Sequence, residues 1–561
     1  MSGMQILDAN QVIGGFSVAA MDVVDGLIGR YRQARQNIDR VVEMTGGDAF
    51  KSVAHHFFNG NADEQRGRVT LEIKKLFDPA GAVANLNACY WQEVMSMTDV
   101  YDAMPQKRRE EWNAMIREPL GVKRDKYDKD FTTPPLPEFE EQTVRSTLQG
   151  LLLSRSQFFA ERVDGIFQAL SRTHVTNCPE GFGKRMILTG ITSGFYSTER
   201  VGYINDLRAV VAKFMGRDEP KWNSSGRVVE AARYERGQWL TIDGGALRIR
   251  CYLNGNAHLE VHPDIAWRLN CVLAQLHPAA IPSKFRDKPK KVAREWQVIQ
   301  RPLPFAVLEI LEGLGEAYEL VPVEPCRLNG WNKTARVKIS NARRLGGFSA
   351  KEGPAMDEAR HVLSGLGGVQ VTKKDAGTYW QFDYNPDDAL RQLISSGCLP
   401  DVKSHQFYPT PADLARRVVE LAEIGPEHSC LEPSAGMGGL ADFMPKDRTL
   451  CVELSPLHCE VLVAKGHYVD TADFLKWQAG GGFYDRVVMN PPFSEGRWKA
   501  HVEHAAEMVK GGGRLVAILP SGARNSLQLE GFAMSWHGPY SSEFPGVSID
   551  VVILVADRGD K

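Results

Sequence analysis

Apolar side chains recur at helical spacing through the first 175 residues of the chain. The earliest such segment ends at Gly46-Gly47, where glycine favours the end of a helix. The predicted helices of this region are 21–44, 68–77, 92–104 and 138–172, the last as one long helix. Their charged faces suit packing or a partner, and they carry no set of residues typical of catalysis. The pattern predicts a helical N-terminal domain, residues 1–175.

The period changes from helical to strand-like between residues 176 and 297. Polar and apolar side chains alternate from 239 to 261. Two sequences typical of hairpin turns, Asp243-Gly244-Gly245 and Asn254-Gly255-Asn256, interrupt the alternation. These features predict a mixed α+β domain with β-hairpins over residues 176–297. The basic, proline-containing segment 284–294 is typical of a domain linker.

Residues 298–400 are predicted to form a small α+β module. Helical segments precede two strands that flank a basic tip, an order that resembles a winged helix, which is a DNA-docking module. The segments are helices at 307–314 and 354–366 and strands at 367–371 and 379–384. Basic side chains of this kind bind phosphates, although the same pattern is typical of plain solvated surface. The predicted nucleic-acid contacts are Lys333, Arg336, Arg343, Arg344, Lys373 and Lys374.

From residue 401 onwards, short apolar runs alternate with helical segments, as in a doubly wound α/β sheet. The segment Phe407-Tyr408-Pro409-Thr410-Pro411 leads into a predicted helix at 412–421, with Thr410 as its N-cap and Asp413 completing a capping box. The predicted strands are 429–431, 449–452, 487–489, 514–519 and 549–556. Ligands bind at the carboxyl ends of such strands, so the loops there are candidate site residues.

The loops after the first two strands have the residue types of a nucleoside site. Glu432 is followed by Pro433-Ser434-Ala435-Gly436-Met437-Gly438-Gly439, whose glycines allow a tight turn close to a ligand, and then by a predicted helix. Glu453 ends the second strand, where an acidic residue commonly holds ribose hydroxyls. A Gly-x-Gly alone is weak evidence, but the combination predicts a nucleotide-type pocket.

The segment Asn490-Pro491-Pro492-Phe493 follows the apolar run 487–489 and precedes a predicted helix at 498–510. The prolines stiffen the turn and push Asn490 towards an extended backbone. The Asn490 side-chain carbonyl and the Pro491 backbone carbonyl can then accept from one exocyclic NH₂ group, while Phe493 offers a stacking face. A proline-rich turn after a core strand is the plain alternative for this segment alone. The glycine turn and Glu453 upstream favour the interpretation that this segment is a site for a planar base.

Composition narrows the chemistry further. The chain has 561 residues, enough for three or four domains, and a net charge of -2, so any nucleic-acid surface is a local patch. Nine cysteines occur without a Cys-x-x-Cys pair or a Cys/His cluster at zinc spacing, so we expect reduced thiols and no metal. The first residues lack the regions of a signal peptide, so we expect a cytoplasmic protein.

Residues 407–556 resemble class I S-adenosylmethionine-dependent methyltransferases, specifically the gamma group of DNA adenine-N6 methyltransferases. The most specific parts of the likeness are the aromatic-Pro-Thr-Pro segment and the Asn-Pro-Pro-Phe tetrapeptide. The resemblance implies a Rossmann-like methyltransferase domain over residues 401–561, with S-adenosyl-L-methionine as cofactor. The expected fold class is therefore α/β, preceded by the helical domain, the mixed α+β region and the winged-helix-like module.

The resemblance also implies a role for each matching residue. Thr410 and Pro411 line the methionine end of the cofactor, Glu453 holds the ribose hydroxyls, and Asp473 and Phe474 flank the cofactor adenine. The main cofactor cradle comprises Glu432, Ala435, Gly436 and Gly438. The target base is received by Asn490, Pro491, Pro492 and Phe493, with Phe544 as a further aromatic near the last strand.

The implied activity is methyl transfer to N6 of an adenine flipped out of duplex DNA. Asn-Pro-Pro-aromatic segments also occur in enzymes that methylate ribosomal or transfer RNA and release-factor glutamine, because all of these need paired acceptors for a planar NH₂ group. The aromatic-Pro-Thr-Pro segment favours DNA. A non-catalytic DNA-binding protein with a methyltransferase-like domain is an alternative of another class.

Two further expectations concern the rest of the chain. The gamma group commonly carries its recognition region after the last catalytic strand, whereas this sequence ends shortly beyond it. Recognition is therefore expected within residues 1–400, or sequence preference is weak. The N-terminal half, most clearly at 254–270, resembles an uncharacterised domain that precedes methyltransferase domains in bacterial and prophage proteins. This context suggests a phage-encoded orphan enzyme that shields DNA from restriction.

Overall fold

The chain forms two compact units, residues 1–240 with 246–297 and residues 241–245 with 298–561. The division into four predicted domains stays a prediction. None of the described helices combines the length and the apolarity needed to cross a bilayer. The computed structural model describes residues 21–60, 77–97, 100–121, 133–191, 198–234, 237–277, 280–288, 302–322, 334–346, 352–399, 408–478, 484–493, 496–541, 544 and 549–559.

The first unit begins with helices and continues with a small antiparallel sheet. Its helices are α1 (Met21–Gly46), α2 (Asp48–Gly60), α3 (Pro79–Met97), α4 (Val100–Ala103), α5 (Gln106–Arg117), α6 (Glu141–Leu153), α7 (Arg155–Ala169), α8 (Thr198–Phe214), α9 (Ser225–Tyr234) and α10 (Pro263–Leu276). The strands in this part of the chain are β1 (Arg185–Leu188), β2 (Leu240–Ile242), β3 (Leu247–Cys251) and β4 (Ala257–Val261). β4 pairs antiparallel with both β1 and β3. The predicted single helix at 138–172 is wrong, because the chain turns at Ser154 and starts a new helix.

Aromatic packing and buried ion pairs hold the helices of the first unit together. Trp91 and Phe139 are fully buried in an apolar cluster, with ring centroids 5.3 Å apart. Arg109 and Asp206 are also almost fully buried and form a 2.7 Å ion pair. Because a buried charge is costly without a partner, this pair fixes α5 against α8.

The second unit begins with a small module of three helices and two hairpins. Its elements are α11 (Phe305–Glu312), β5 (Gly315–Pro322), β6 (Thr334–Arg344), α12 (Pro354–Gly365), β7 (Val369–Lys373), β8 (Gly377–Gln381) and α13 (Asp387–Ser396). The four strands form one antiparallel sheet in the order β5-β6-β8-β7. The expected helices and basic-tipped hairpin are present. The winged-helix-like order needs correction, because a second, longer hairpin of β5 and β6 completes the sheet.

The rest of the second unit is a seven-stranded sheet with helices. The elements are α14 (Ala412–Ala422), β9 (Cys430–Pro433), β10 (Thr449–Glu453), α15 (Pro456–Ala464), β11 (Tyr468–Thr471), β12 (Tyr484–Met489), α16 (Arg497–Glu507), β13 (Val509–Pro520), β14 (Phe532–Tyr540) and β15 (Val551–Arg558). The strand order is β11-β10-β9-β12-β13-β15-β14. The first five strands in this order are parallel, and β15 and β14 are antiparallel to their neighbours. This is a Rossmann-like, doubly wound sheet, whose strand order reverses direction between β9 and β12.

The sheet is buried on both faces, and this explains its continuous apolar strands. Val487 and Met489 point into one apolar cluster, whereas Val488 between them points into the other. A parallel sheet covered by helices on both sides has this pattern. The cluster on the Val488 side includes Leu414 and Val418 from α14.

Two local predictions for this region are wrong, and one strand was not predicted. A short 3₁₀ helix, Ala441–Phe443, follows the glycine turn in place of the predicted helix. The residue before α14 is Pro411, and neither Thr410 nor Asp413 makes a capping hydrogen bond there. The edge strand β14 was not predicted, because a half-exposed edge strand lacks a long apolar run.

Candidate functional site

A cleft of about 490 Å³ opens at the carboxyl ends of β9, β10 and β12, where the strand order reverses. Its volume is in the range of small-molecule sites. All of the predicted cofactor and base-binding residues line this cleft except Pro411 and Gly438. Other residues of the lining were not predicted, including Tyr408, Met437, Gly439, Leu454, Leu475 and His501. The glycine turn and the Asn490–Phe493 segment therefore border the same space.

The glycine turn is tied to the end of β10 by Glu453. One carboxylate oxygen of Glu453 accepts a 2.8 Å hydrogen bond from the Gly436 N–H, and the other accepts from the Ser455 N–H at 2.7 Å. Burial by itself raises the pKa of Glu453, but His458 and the two N–H donors outweigh burial and lower that pKa. Glu453 is therefore an ionised carboxylate at the cleft wall, whose two oxygens already orient the surrounding backbone.

The turn requires glycine at Gly438 for steric reasons. Its φ is +88°, and an added Cβ would lie 3.1 Å from Leu462 and 3.3 Å from Asp442. Asp442 is itself held by Lys465 at 2.6 Å and by His467 at 2.9 Å, so it cannot move away easily. The role of Gly438 is thus to shape the turn, while its neighbours Met437 and Gly439 line the cleft.

Glu432 is the most deeply buried acid of the cleft. Its side chain is 2% exposed, and one carboxyl oxygen has no hydrogen-bond partner. Burial raises the pKa of Glu432 well above its usual range, the negative charges of Asp442 and Glu453 add to that rise, and N–H donors from Ala441 and Leu440 oppose it. An unpartnered buried carboxyl facing a cleft suits a hydrogen-bond donor or a cation that enters from outside.

The side-chain amide of Asn490 is oriented by Thr410. The Asn490 Nδ2 donates a 3.0 Å hydrogen bond to the Thr410 hydroxyl. Among the residues that the structure describes, none donates to the Asn490 Oδ1. This arrangement leaves an acceptor at the cleft wall. Thr410, which was expected to cap a helix, instead accepts a hydrogen bond from the Asn490 amide.

The aromatic residues predicted around the base lie on the same side of the cleft. Phe493 is half-buried and packs on the apolar cluster that contains Tyr408 and Phe544. The Tyr408 and Phe544 rings meet edge to face, with centroids 6.4 Å apart. This wall supplies flat apolar surface next to the Asn490 acceptor.

At the other end of the cleft, Asp473 and Phe474 follow β11. Asp473 accepts a 3.3 Å hydrogen bond from the Leu475 N–H and so begins a short 3₁₀ turn. Phe474 is 3% exposed and packs against Trp477 and His504, so its faces are largely covered. The exposed apolar side chains here are Leu454 and Leu475, which sequence reasoning missed. The sequence signal for Leu454 was its position directly after Glu453, the acid that ends β10.

His501 is a second residue that the sequence did not reveal. It lies on α16, is buried, and its Nδ1 is 3.3 Å from the Ser434 hydroxyl. Burial lowers the pKa of His501 to about 4, so this imidazole is neutral at physiological pH. Ser434 has a φ of +64°, uncommon for a residue with a side chain, and His501 supports this strained turn.

The residues predicted to contact nucleic acid differ in their burial and in their partners. Lys333 lies outside the described residues. Arg343 is buried and donates to Asp387, so the prediction that it contacts phosphates needs correction: the carboxylate already occupies its guanidinium. Lys373 lies 3.6 Å from Glu319, and Arg336 stacks 3.9 Å over the Tyr318 ring. Arg344 and Lys374 are exposed, and their DNA contact stays a prediction. None of the described basic residues in this set lines the cleft.

No group of three or more His, Cys, Asp or Glu side chains with metal-site geometry occurs in the described part of the chain. The acids that line the cleft are Glu432, Asp442, Glu453 and Asp473, and the cations are Lys465 and Arg497. Chemically, the site combines an acid-rich pocket at the glycine turn with an oriented amide acceptor and an aromatic wall.

Comparison with known proteins gives one family and a set of structures. The model of a domain of unknown function, DUF4942, matches residues 120–279, which include the segment 254–270. No curated protein matches the chain.

Part of the chain is similar to solved structures, several of which are named as methyltransferases. TrmN from Thermus thermophilus is 20% identical over 26% of this chain and 48% of that chain, with a TM-score of 0.22. The 23S rRNA methyltransferase ErmE is 19% identical over 27% of this chain and 70% of its own, with a TM-score of 0.23. The N-methyltransferase NodS from Bradyrhizobium japonicum WM9, in complex with S-adenosyl-L-homocysteine, is 12% identical over 27% and 88%, with a TM-score of 0.22. The chain thus spans about half the length of TrmN.

Proposed function

We propose that this protein transfers a methyl group from S-adenosyl-L-methionine to the exocyclic N6 of an adenine flipped out of DNA. The observation that carries the proposal is the oriented Asn490 amide, whose Oδ1 is left as an acceptor in the cleft that the glycine turn also borders. Any planar NH₂ donor suits this acceptor. The aromatic-Pro-Thr-Pro segment and the exposed Arg344 and Lys374 are what favour DNA.

The residues of the cleft fit the proposed cofactor. It carries a cationic sulfonium and an ammonium group, and Glu432 offers a buried carboxyl oxygen without a partner. Gly438 shapes the glycine turn, and its neighbours Met437 and Gly439 line the cleft where the cofactor would lie. Leu454 and Leu475 are exposed apolar side chains at the far end, where a flat ring can be covered. When bound, the cofactor supplies an electrophilic methyl group.

The chain's own residues would stabilise the flipped base and orient its N6 amino group. Taking a base out of the duplex costs roughly a few kcal/mol. Stacking on Phe493 recovers roughly 1–3 kcal/mol of this cost. The Asn490 Oδ1 and the Pro491 carbonyl accept hydrogen bonds from the two N6–H groups, which orients the nitrogen lone pair towards the methyl group. Positioning and aligned acceptors, without a dedicated base, are the source of the rate enhancement.

The test is tritiated-methyl transfer to unmethylated duplex DNA by the full chain, comparing Asn490→Ala with the exposed control Asn525→Ala. We expect Asn490→Ala to abolish transfer while calorimetry shows nearly unchanged cofactor affinity, and Asn525→Ala to behave as wild type. Near-normal turnover by Asn490→Ala would refute the assignment. Transfer to RNA in preference to DNA would keep the chemistry and overturn the substrate.

Long-read sequencing of host DNA, with and without the gene expressed, tests the product in cells. We expect N6-methyladenine to appear, with its sequence context, when the gene is expressed. Host DNA that stays unmodified, or cytosine modification in place of adenine, would contradict the proposal. If expression also protects DNA from restriction enzymes that cut within the same context, the shielding role follows.

A further inference from the structure

One face of the sheet in the first unit carries charged and aromatic side chains. Along β3, Leu247, Ile249 and Cys251 are buried, whereas Arg248 and Arg250 between them are only half-buried and point to the opposite face. The pairing places Arg250 opposite His258 on β4. It also places Arg185 of β1 opposite Glu260 of β4, on that same face. We call this surface the arginine face.

Arg250 at the centre of the arginine face is clamped by aromatic rings. Its guanidinium carbon lies 5.1 Å from the ring centroid of Tyr252 and 5.9 Å from that of Trp239. Arg185 lies over the same Trp239 ring, at 5.3 Å. No described residue accepts a hydrogen bond from Arg250, and its Nε is buried without a partner. A guanidinium that is held in place and lacks an acceptor suits an incoming phosphate group.

The charge of the arginine face is strongly positive. Glu260 is the one carboxylate among the described residues of β1, β3 and β4. It is buried and accepts hydrogen bonds from Arg185 at 2.7 and 3.0 Å. Burial lowers the pKa of His258, and the positive charges of Arg185, His174 and Arg250 lower it further. This face is thus complementary to a polyanion.

The aromatic rings beside these cations indicate that the polyanion has unpaired bases. His258 and Tyr252 lie with ring centroids 4.5 Å apart, and Trp239 is half-buried next to them. Aromatic rings on a strand surface stack with bases that are not paired, whereas a duplex keeps its bases covered. The combination of phosphate-binding cations and stacking rings is typical of single-strand binding.

We propose that the arginine face binds single-stranded DNA, with Arg250 on a phosphate and the bases beside the rings of Tyr252, His258 and Trp239. This binding activity goes beyond the proposed methyl transfer, because every residue of the face belongs to the first unit and none lines the cleft. It gives the region matched by the model of unknown function a binding role of its own.

The test is fluorescence anisotropy of the full chain with a labelled DNA strand of about 15 nucleotides, measured at several salt concentrations. Arg250→Gln is compared with Arg40→Gln, which removes the same charge from an exposed position on α1 that has no partner among the described residues. We expect Arg250→Gln to weaken binding about fivefold or more. The slope of log affinity against log salt should fall by about 0.7. Arg40→Gln should leave both quantities unchanged.

A second variant, Arg250→Lys, keeps the charge and removes the planar fork, so it should retain the salt slope while binding more weakly than wild type. Thermal melting checks that both Arg250 variants are folded. Equal affinity and slope for Arg250→Gln and Arg40→Gln would overturn the proposal, as would tighter binding of duplex DNA or of RNA of the same sequence. Asn490→Ala should bind the strand normally, so loss of methyl transfer and loss of strand binding are distinguishable.

Discussion

The Asn490 Nδ2 donates to the Thr410 hydroxyl, which leaves the Asn490 Oδ1 as the acceptor at the cleft, and Thr410→Val removes this hydrogen bond. Valine has almost the same shape as threonine but cannot accept a hydrogen bond, so the Asn490 amide is free to rotate. A rotated amide presents its NH₂ group to the NH₂ group of the target. We therefore expect methyl transfer to fall while the fold is retained.

The size of the effect follows from one hydrogen bond in a half-buried site. Losing the 3.0 Å bond costs about 1 kcal/mol, equivalent to roughly a fivefold change. A donor left facing a donor adds the cost of an unsatisfied group, about 1–3 kcal/mol. The expected loss in kcat/KM is therefore between about fivefold and several hundredfold, because the two costs act together.

The assay is single-turnover methyl transfer at saturating cofactor, with cofactor affinity measured separately by calorimetry. Thr410→Ser restores the hydroxyl and is the matched control, so it should recover most of the activity. The reasoning fails if Thr410→Val transfers methyl groups as fast as wild type, or if Thr410→Ser is as impaired as Thr410→Val.

Three further predictions concern the glycine turn and its acids. Burial raises the pKa of Glu432 well above its usual range. The folded protein therefore keeps a proton that the unfolded chain loses above about pH 4.3. As a result, the free energy of unfolding falls as the pH rises past about 4.3. Glu432→Gln should therefore raise the melting temperature without cofactor at about pH 8 and have no effect at about pH 4; an equal shift at both would contradict the protonation argument. Gly438→Ala forces a side chain into a backbone with φ of +88° and should weaken cofactor binding about tenfold, whereas Gly522→Ala, which meets no atom within 4 Å, should not; calorimetry decides. Glu453→Ala removes the acceptor of the Gly436 and Ser455 N–H groups and should also weaken cofactor binding, and unchanged affinity would remove Glu453 from the site.

Local sequence was sufficient for the inner strands of the seven-stranded sheet and for the order of its loops, but not for the edge strand β14. Continuous apolar runs such as 487–489 report burial on both faces, and the polar residues that end each strand fall at the same sheet edge because the strands are parallel. The motif residues Gly436, Glu453 and Asn490 could be named for the same reason, since each lies at the end of a strand or shortly after it.

What the sequence could not determine are the contacts between residues far apart in the chain. Thr410 and Asn490 are 80 positions apart, and only the fold turns a predicted helix cap into the partner of an amide. The sequence predicts that Arg343 is a surface cation, but in the structure Arg343 is buried and forms an ion pair with Asp387 of α13. The arginine face likewise depends on the register of β1, β4 and β3, since a shift of one residue would send Arg250 to the buried side. Periodicity reports whether a side chain is buried, whereas its partner depends on packing between distant segments.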